Sequence, residues 1–225
     1  MRRAGRETTS FTPGVFLWLA LALAFASVSS VAQTPASSKG MAIENTAKAI
    51  AFRNTMRQLW EEHIIWTRQV IVSQAAGLPD LDLAIARLMQ NQVDIGNAVK
   101  PYYGEAAGNK LTTLLKEHIG LAAEILTAAK ANDTAKYNDA KTRWYANADT
   151  IAVTLSALNP KYWSEAPMKF EMKKHLDTTL DEATARLHGD WKADIAAYDR
   201  VERHILMMAD MLSLGIIRQY PNKFK

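Results

Sequence analysis

The chain has 225 residues, no cysteine and a formal net charge of +4. The lack of cysteine excludes disulfide bonds, thiolate metal sites and cysteine nucleophiles. This length corresponds to one ordinary domain or two small ones and is long enough to form a hydrophobic core. With only 10 Gly and 7 Pro among many Ala, Leu, Lys and Glu, the composition favours helices over sheets.

Residues 1–32 are predicted to be a secretory signal peptide. Three arginines precede an unbroken apolar run at 15–26, and small residues at 27–32 offer a cleavage point after Ala32. A retained membrane anchor is the alternative, but a span needs roughly 20 apolar residues, which is longer than this run. We therefore expect an exported protein, periplasmic or extracellular, with no membrane span after cleavage. Residues 33–42 are small and polar and are interpreted as a linker.

The charge that remains after residue 32 is nearly balanced. Three Arg and one Glu lie within residues 1–32, which leaves 24 basic and 22 acidic residues in 33–225. No basic run is present in this part, so nucleic-acid binding is not expected.

From residue 43 onward the apolar residues follow a helical period, and a short pattern ending in histidine recurs. It ends at His63, His118 and His175, which are nearly evenly spaced along the chain. Repeats of this length are typical of stacked helical pairs. We therefore predict an all-α domain over 43–225, a bundle of about six helices arranged as three αα-hairpins of about 55–57 residues, at about 43–103, 104–163 and 164–225. An ordinary six-helix bundle with accidental internal similarity is the alternative.

Each predicted hairpin has a turn signal, in which a residue that tolerates the left-handed conformation precedes a favoured N-cap. The pairs are Gly77 and Asp80, Asn132 and Asp133, and Gly189 and Asp190. Proline with aromatic residues then closes each hairpin, around Pro101, Pro160 and Pro221. An arginine also recurs on each second helix, and we expect these arginines to form interhelical ion pairs. The arginines are Arg87, Arg143 and Arg200, and the candidate partners are Asp94, Asp149 and Asp210.

Counting from the turns predicts a polar layer across the bundle. The three repeated histidines all precede their turn residue by the same interval, and Asn91, Asn147 and His204 follow it by the same interval or one position more. Residues equidistant from the turn of an antiparallel hairpin lie level, here about 21 Å from it at a rise of about 1.5 Å per residue. We therefore predict three facing pairs within the apolar core stripes, namely His63 with Asn91, His118 with Asn147, and His175 with His204.

This layer could be a metal site. Its imidazole ligands would be His63, His118, His175 and His204, a set that suits zinc or copper. Asn91 and Asn147 would orient the rings by holding one nitrogen of each. The thioethers of Met208 and Met172, one turn from His204 and His175, would favour copper or haem ligation.

The same residues also fit a purely architectural role. A buried imidazole and an amide can satisfy each other and fix helix register, and methionines at helical spacing commonly fill a core. No Gly-rich phosphate loop, Ser-His-Asp order or His-Glu-x-x-His string is present. The sequence therefore favours an exported, non-enzymatic binding protein for a small ligand or a metal. A structural or interaction module is the alternative, and the ligand and the oligomeric state stay open.

Several strings within about residues 55–224 resemble a family of uncharacterised bacterial helical proteins. They are His63-Ile-Ile-Trp-Thr-Arg68, Arg87-Leu-x-x-Asn91, Pro101-Tyr-Tyr-Gly104, Trp144-Tyr-Ala-Asn-Ala-Asp149 and Met207-Met-Ala-Asp210. The resemblance implies a shared helical fold and a shared polar layer. Some relatives carry the label acetylglutamate kinase, which this sequence does not support, because amino-acid kinases need an α/β nucleotide-binding fold.

Overall fold

The computed structural model describes residues 43–225, which form an all-helical bundle with no strand in this range. The predicted all-α class is therefore confirmed. The predicted signal peptide (1–32) and linker (33–42) lie outside the described residues. The described helices are α1 (Ala47–Ala76), α2 (Leu81–Lys130), α3 (Thr134–Leu158), α4 (Glu165–Leu187) and α5 (Trp191–Gln219), followed by a 3-10 helix at Pro221–Phe224.

The three predicted turns are all present. Left-handed backbone ends the preceding helix at Gly77 (φ 68°), Asn132 (φ 56°) and Gly189 (φ 72°). The carboxylates of Asp133 and Asp190 then cap the next helix. Each accepts a hydrogen bond from the backbone N–H three residues further along the chain, that of Lys136 or Ala193.

Asp80 departs from the predicted capping role. Its backbone is already helical (φ −87°, ψ 0°), and its side chain makes no cap hydrogen bond. The Asp80 carboxylate instead accepts from Gln69 Nε2 at 2.9 Å, which ties the start of α2 to α1.

Five helices are present in the described range where about six were predicted, because the second and third predicted helices run together in α2. Pro101 lies inside α2 and does not end it, and the one non-helical residue is Gly104 (φ 85°, ψ 168°). This conformation is open essentially to glycine alone. A Cβ on Gly96 would lie 1.9 Å from Thr112 Oγ1 and 2.8 Å from the Gly108 carbonyl oxygen. Since a straight helix would place residues 96 and 112 about 24 Å apart, α2 bends back at Gly104 into two arms, 81–103 and 105–130.

The helices pack in chain order, and α1 also packs against α5, which closes the bundle. The largest fully buried side chains, at 2% exposure or less, include Trp144, Trp163, Met168, Leu176 and Ile205. No helix within residues 43–225 has both the length and the apolar character needed to cross a bilayer.

The recurrent arginines form interhelical ion pairs, as predicted, but with partners other than Asp94, Asp149 and Asp210. Each pairs with a carboxylate on the preceding helix or arm: Arg87 with Glu62 (2.8 Å), Arg143 with Glu124 (2.5 Å) and Arg200 with Asp181 (3.3 Å). The three predicted partners lie on the same helices as the arginines, so they could not bridge to the neighbouring helix of the same hairpin. Asp210 instead faces Arg53 and Arg57 of α1.

Candidate functional site

Four histidines from four different segments lie side by side in the centre of the bundle. His63 comes from α1, His118 from the second arm of α2, His175 from α4 and His204 from α5. They are 3%, 3%, 5% and 6% exposed, respectively. The 3-4 apolar spacing of each helix directs these positions into the core, as the sequence predicts.

His175 is the hub of this histidine row. The centroid of its ring lies 6.0 Å from that of His63, 6.4 Å from that of His118 and 6.4 Å from that of His204. The rings of His118 and His204 are stacked against it, with interplanar angles of 24° and 19°. The predicted proximity of His175 and His204 is therefore present, and the other two histidines join the same cluster.

The predicted pairing of His118 with Asn147 is also present. His118 Nδ1 lies 3.0 Å from Asn147 Oδ1, and the Asn147 amide nitrogen donates to the Leu114 carbonyl at 3.2 Å and to Glu117 at 3.1 Å. Because Oδ1 can only accept, the His118 proton resides on Nδ1, and the lone pair of the neutral ring is on Nε2. Nε2 is therefore the nitrogen of this ring that is free to bind a metal.

The predicted pairing of His63 with Asn91 needs a correction. The side chain within hydrogen-bonding distance of His63 Nδ1 is that of Gln92, whose Nε2 lies 3.2 Å away. Asn91 donates instead to the Leu59 carbonyl at 2.9 Å. Gln92 follows His63 by 29 residues, the separation that also joins His118 to Asn147, whereas Asn91 lies one position short of it. Gln92 is 0% exposed, and the sequence prediction did not include it.

The orientation of the Gln92 amide follows from its other contacts. Gln92 Nε2 also lies 2.8 Å from the Leu88 carbonyl oxygen and 3.2 Å from Asn91 Oδ1, so its two protons are shared among three acceptors. With the amide nitrogen facing it, His63 Nδ1 acts as an acceptor, and its proton resides on Nε2. His63 and His118 thus have opposite tautomers.

His175 and His204 differ in how well their nitrogens are satisfied. His204 Nε2 lies 3.1 Å from the Glu171 carbonyl oxygen, to which it donates, and its Nδ1 lies 3.7 Å from the Glu171 carboxylate. His175 Nδ1 is buried and has no hydrogen-bond partner. A buried, unpaired polar atom costs roughly 1–3 kcal/mol, so the hub of the row is its least satisfied member.

Three histidines of the row are held in the neutral form. Burial lowers the pKa of His63 to about 4. Burial and the nearby His63 lower the pKa of His118 to about 3. The pKa of His175 is well below its usual value because of burial and then the three surrounding imidazoles. Neutral imidazole is the form that binds metals.

Met172 and Met208, the predicted soft ligands, are 5% and 1% exposed and belong to the main hydrophobic core. Within residues 43–225, no group of three or more His, Asp or Glu side chains is arranged as a ready-made metal site. The row is therefore a cluster of buried bases whose nitrogens do not yet converge.

A second buried polar group, not predicted from the sequence, lies nearer the turns. Arg68 of α1 contacts Glu182 of α4 at 2.7 Å and Asp194 of α5 at 2.8 Å and 3.1 Å. Arg186 also contacts Asp194, at 3.3 Å. Both carboxylates are 1% exposed. We call these four residues the ionic cluster. Its sequence signal is that Glu182 and Asp194 occupy core-stripe positions, Glu182 two turns after His175.

No family model, no curated protein and no solved structure matches this chain. The resemblance to a bacterial helical family therefore stays a prediction.

Proposed function

We propose that this protein is an exported, non-enzymatic metal-binding protein of the cell envelope, and that the histidine row takes one zinc or copper ion. One observation carries this proposal: His175 Nδ1 is buried without a partner, and three other buried imidazoles surround its ring at 6.0–6.4 Å. A metal bond would satisfy this nitrogen, and neutral rings would not repel the cation.

The spacing of the imidazole rings can be compared with the spacing of rings that share one metal ion. A metal–nitrogen bond of about 2.0–2.1 Å places the centroid of a ligating ring about 3.2 Å from the ion, so two rings in tetrahedral coordination have centroids about 5.3 Å apart. The observed spacing exceeds this by about 1 Å, so binding requires the rings to rotate and close slightly. His118 Nε2 and His175 offer lone pairs in their present state, whereas His63 would have to change tautomer.

An ion fits the surroundings of the row better than haem does. Two of the imidazole rings pack against indole rings. The ring centroids of Trp60 and His63 are 5.7 Å apart, and those of Trp144 and His118 are 5.1 Å apart. A small apolar cavity lies one turn from the row, where Thr67 and Thr179 line it, and its volume of about 40 Å³ is far below that of a porphyrin. Copper or zinc is therefore the form of the proposal that the packing favours.

The proposal includes a threefold hairpin organisation, with the bend at Gly104 separating the first two hairpins. The sequence separation between Glu124 and Arg143 equals that between Asp181 and Arg200, so the last two hairpins share the same ion pair. A repeat of this kind would place one histidine from each hairpin at a common level, which is what a shared metal site needs.

The test is metal analysis by mass spectrometry, with a visible absorption spectrum, on the protein purified from its native envelope without a tag or a chelator. We expect near-stoichiometric zinc or copper, lost in a His63→Ala, His118→Ala double variant and retained in a variant of the exposed His188, His188→Ala. A protein that stays free of metal after equilibration with both ions would refute the proposal.

A second candidate function is supported by the hydrogen bonds. Three of the four histidines already have polar partners in the protein, as register-fixing residues of a structural or interaction module would. In that case His175→Leu would leave every binding property unchanged and would raise stability, because only an unpaired buried nitrogen is removed.

A further inference from the structure

A small apolar cavity lies one helical turn from the histidine row, on the side facing the turns. Its volume is about 40 Å³. Four segments line it, and its walls are almost entirely aliphatic or aromatic, including Val70, Ile71, Ile119, Ile125, Leu126 and Trp144.

The cavity is in register with the row. Each of the three repeated histidines is followed four residues later by a small residue that lines the cavity, namely Thr67, Ala122 and Thr179. Side chains at i and i+4 are stacked on the same face of a helix. The cavity is thus the next layer of the bundle, directly beneath the imidazoles.

The two threonine hydroxyls in the wall are already used. Thr67 Oγ1 donates to the His63 carbonyl at 2.7 Å, and Thr179 Oγ1 donates to the His175 carbonyl at 2.9 Å. Among the lining residues, Trp144 has a buried Nε1–H without a partner. An ordered buried water needs about two to four polar partners, so the cavity is poorly suited to water and suited to an apolar molecule.

We propose that this cavity binds a small apolar diatomic gas of the dioxygen class, held one turn from the metal site. The presence of a reactive metal beside the gas rests on the proposed function, whereas gas binding itself does not. Size limits the ligand: an apolar cavity of about 150 Å³ takes benzene, and a single water needs about 10–15 Å³. At about 40 Å³, the cavity admits a diatomic molecule and excludes rings and chains.

Methyl NMR on the metal-free full chain, equilibrated with dissolved dioxygen and separately with xenon, tests the inference. Paramagnetic dioxygen should enhance the relaxation of the Val70 and Ile125 methyls severalfold over that of Val99, which is 4% exposed like Val70 but lies outside the cavity lining. Xenon should shift the same two methyls saturably with pressure.

Ala183→Val fills the cavity and should abolish both effects. Ala129→Val adds the same volume outside the lining and should keep them. If Ala183→Val fails to fold, Ala122→Val serves instead. Uniform relaxation across the core, or shifts linear in xenon pressure that persist in the filled variant, would overturn the inference.

The result separates this inference from the proposed function. Gas binding in a protein that takes up neither zinc nor copper would leave the cavity site intact and refute the metal site. Metal binding without gas-dependent relaxation would do the reverse.

Discussion

Two buried polar regions of the bundle, the ionic cluster and the histidine row, solve the problem of buried polarity in opposite ways. In the ionic cluster, Glu182 and Asp194 are each held by guanidinium groups at 2.7–3.3 Å. The row is built of imidazoles instead, and the central one, His175, is neutral and has a buried nitrogen with no partner. Buried charges persist only when paired. The cluster is therefore fully paired, while the row keeps an unpaired nitrogen at which we propose that a metal binds.

The histidine row and Glu182 of the ionic cluster also respond to pH with opposite signs. The pKa values of His63, His118 and His175 are lowered in the fold, so their contribution to stability is present above the unfolded pKa of about 6.5 and is lost as the pH falls. For Glu182, burial outweighs the opposing hydrogen bond and charge of Arg68 and raises the pKa to about 7. Its contribution is present below the unfolded pKa of about 4.5 and is lost as the pH rises through about 7.

Acidification should lower the stability most, because each of the three neutral histidines takes up a proton when the chain unfolds below about pH 6.5. Below about pH 6.5 their combined slope is up to about 4 kcal/mol per pH unit, against a typical total stability of about 5–15 kcal/mol. We expect the urea midpoint, followed by far-UV circular dichroism, to fall steeply between about pH 6.5 and 5. His118→Leu should reduce the slope by about a third and His188→Leu should leave it unchanged. A midpoint constant over this range would show that the row is not buried and neutral.

Arg68→Ala should have the next largest effect. It removes the guanidinium shared by two carboxylates that are 1% exposed, and breaking a buried pair in this way costs about 3–5 kcal/mol. The control is Arg87→Ala, which breaks a more exposed pair with Glu62 and should cost under about 1 kcal/mol. Equal costs for the two variants, measured by urea unfolding at pH 7, would contradict the difference between a buried cluster and a surface pair.

Glu182→Gln should change the pH dependence more than the stability itself. Between about pH 4.5 and 7, ionisation of Glu182 lowers the free energy of unfolding as the pH rises, which opposes the effect of the histidines. The glutamine variant lacks this contribution. The unfolding free energy of the variant should therefore rise with pH more steeply than that of the wild type, by roughly 1 kcal/mol per unit. Parallel pH profiles for the two proteins would show that Glu182 is ionised throughout this range.

Within the row, the same substitution at two positions should give different results. His118→Leu leaves Asn147 Oδ1 without its partner, whereas His175→Leu removes a ring whose Nδ1 has none. In metal-free protein we expect His118→Leu to be the less stable variant, by about 1–3 kcal/mol. If His175→Leu were the less stable one, the hub would have an architectural role that its hydrogen bonding does not indicate.

The level of the row could be predicted from the sequence because helix rise is uniform and the turns carry clear signals. The His118–Asn147 contact follows from that count alone. The His63–Asn91 contact was predicted wrongly, because Asn91 shares the residue type of Asn147 but lies one position short of its separation. The common separation of 29 residues identifies Gln92 instead.

The bend at Gly104 coincides with the boundary predicted between residues 103 and 104, whereas the ionic cluster was not predicted. What the sequence did not indicate at the bend is that helical structure continues through Pro101 up to Gly104. Glu182 and Asp194 could be recognised as core-stripe carboxylates. That Arg68 reaches both of them depends on how α1 packs between α4 and α5, which no single helix encodes.

The most direct test of the row as a site is a titration of metal-free protein with Zn²⁺, Cu⁺ and Co²⁺, the last followed by its visible ligand-field bands. The expected result is one ion per chain, with cobalt bands characteristic of imidazole ligation, lost in His175→Leu and unchanged in the variant of the exposed histidine, His188→Leu. The contradicting result is that none of the three ions binds, or that binding survives in His175→Leu, which would leave the row as architecture alone.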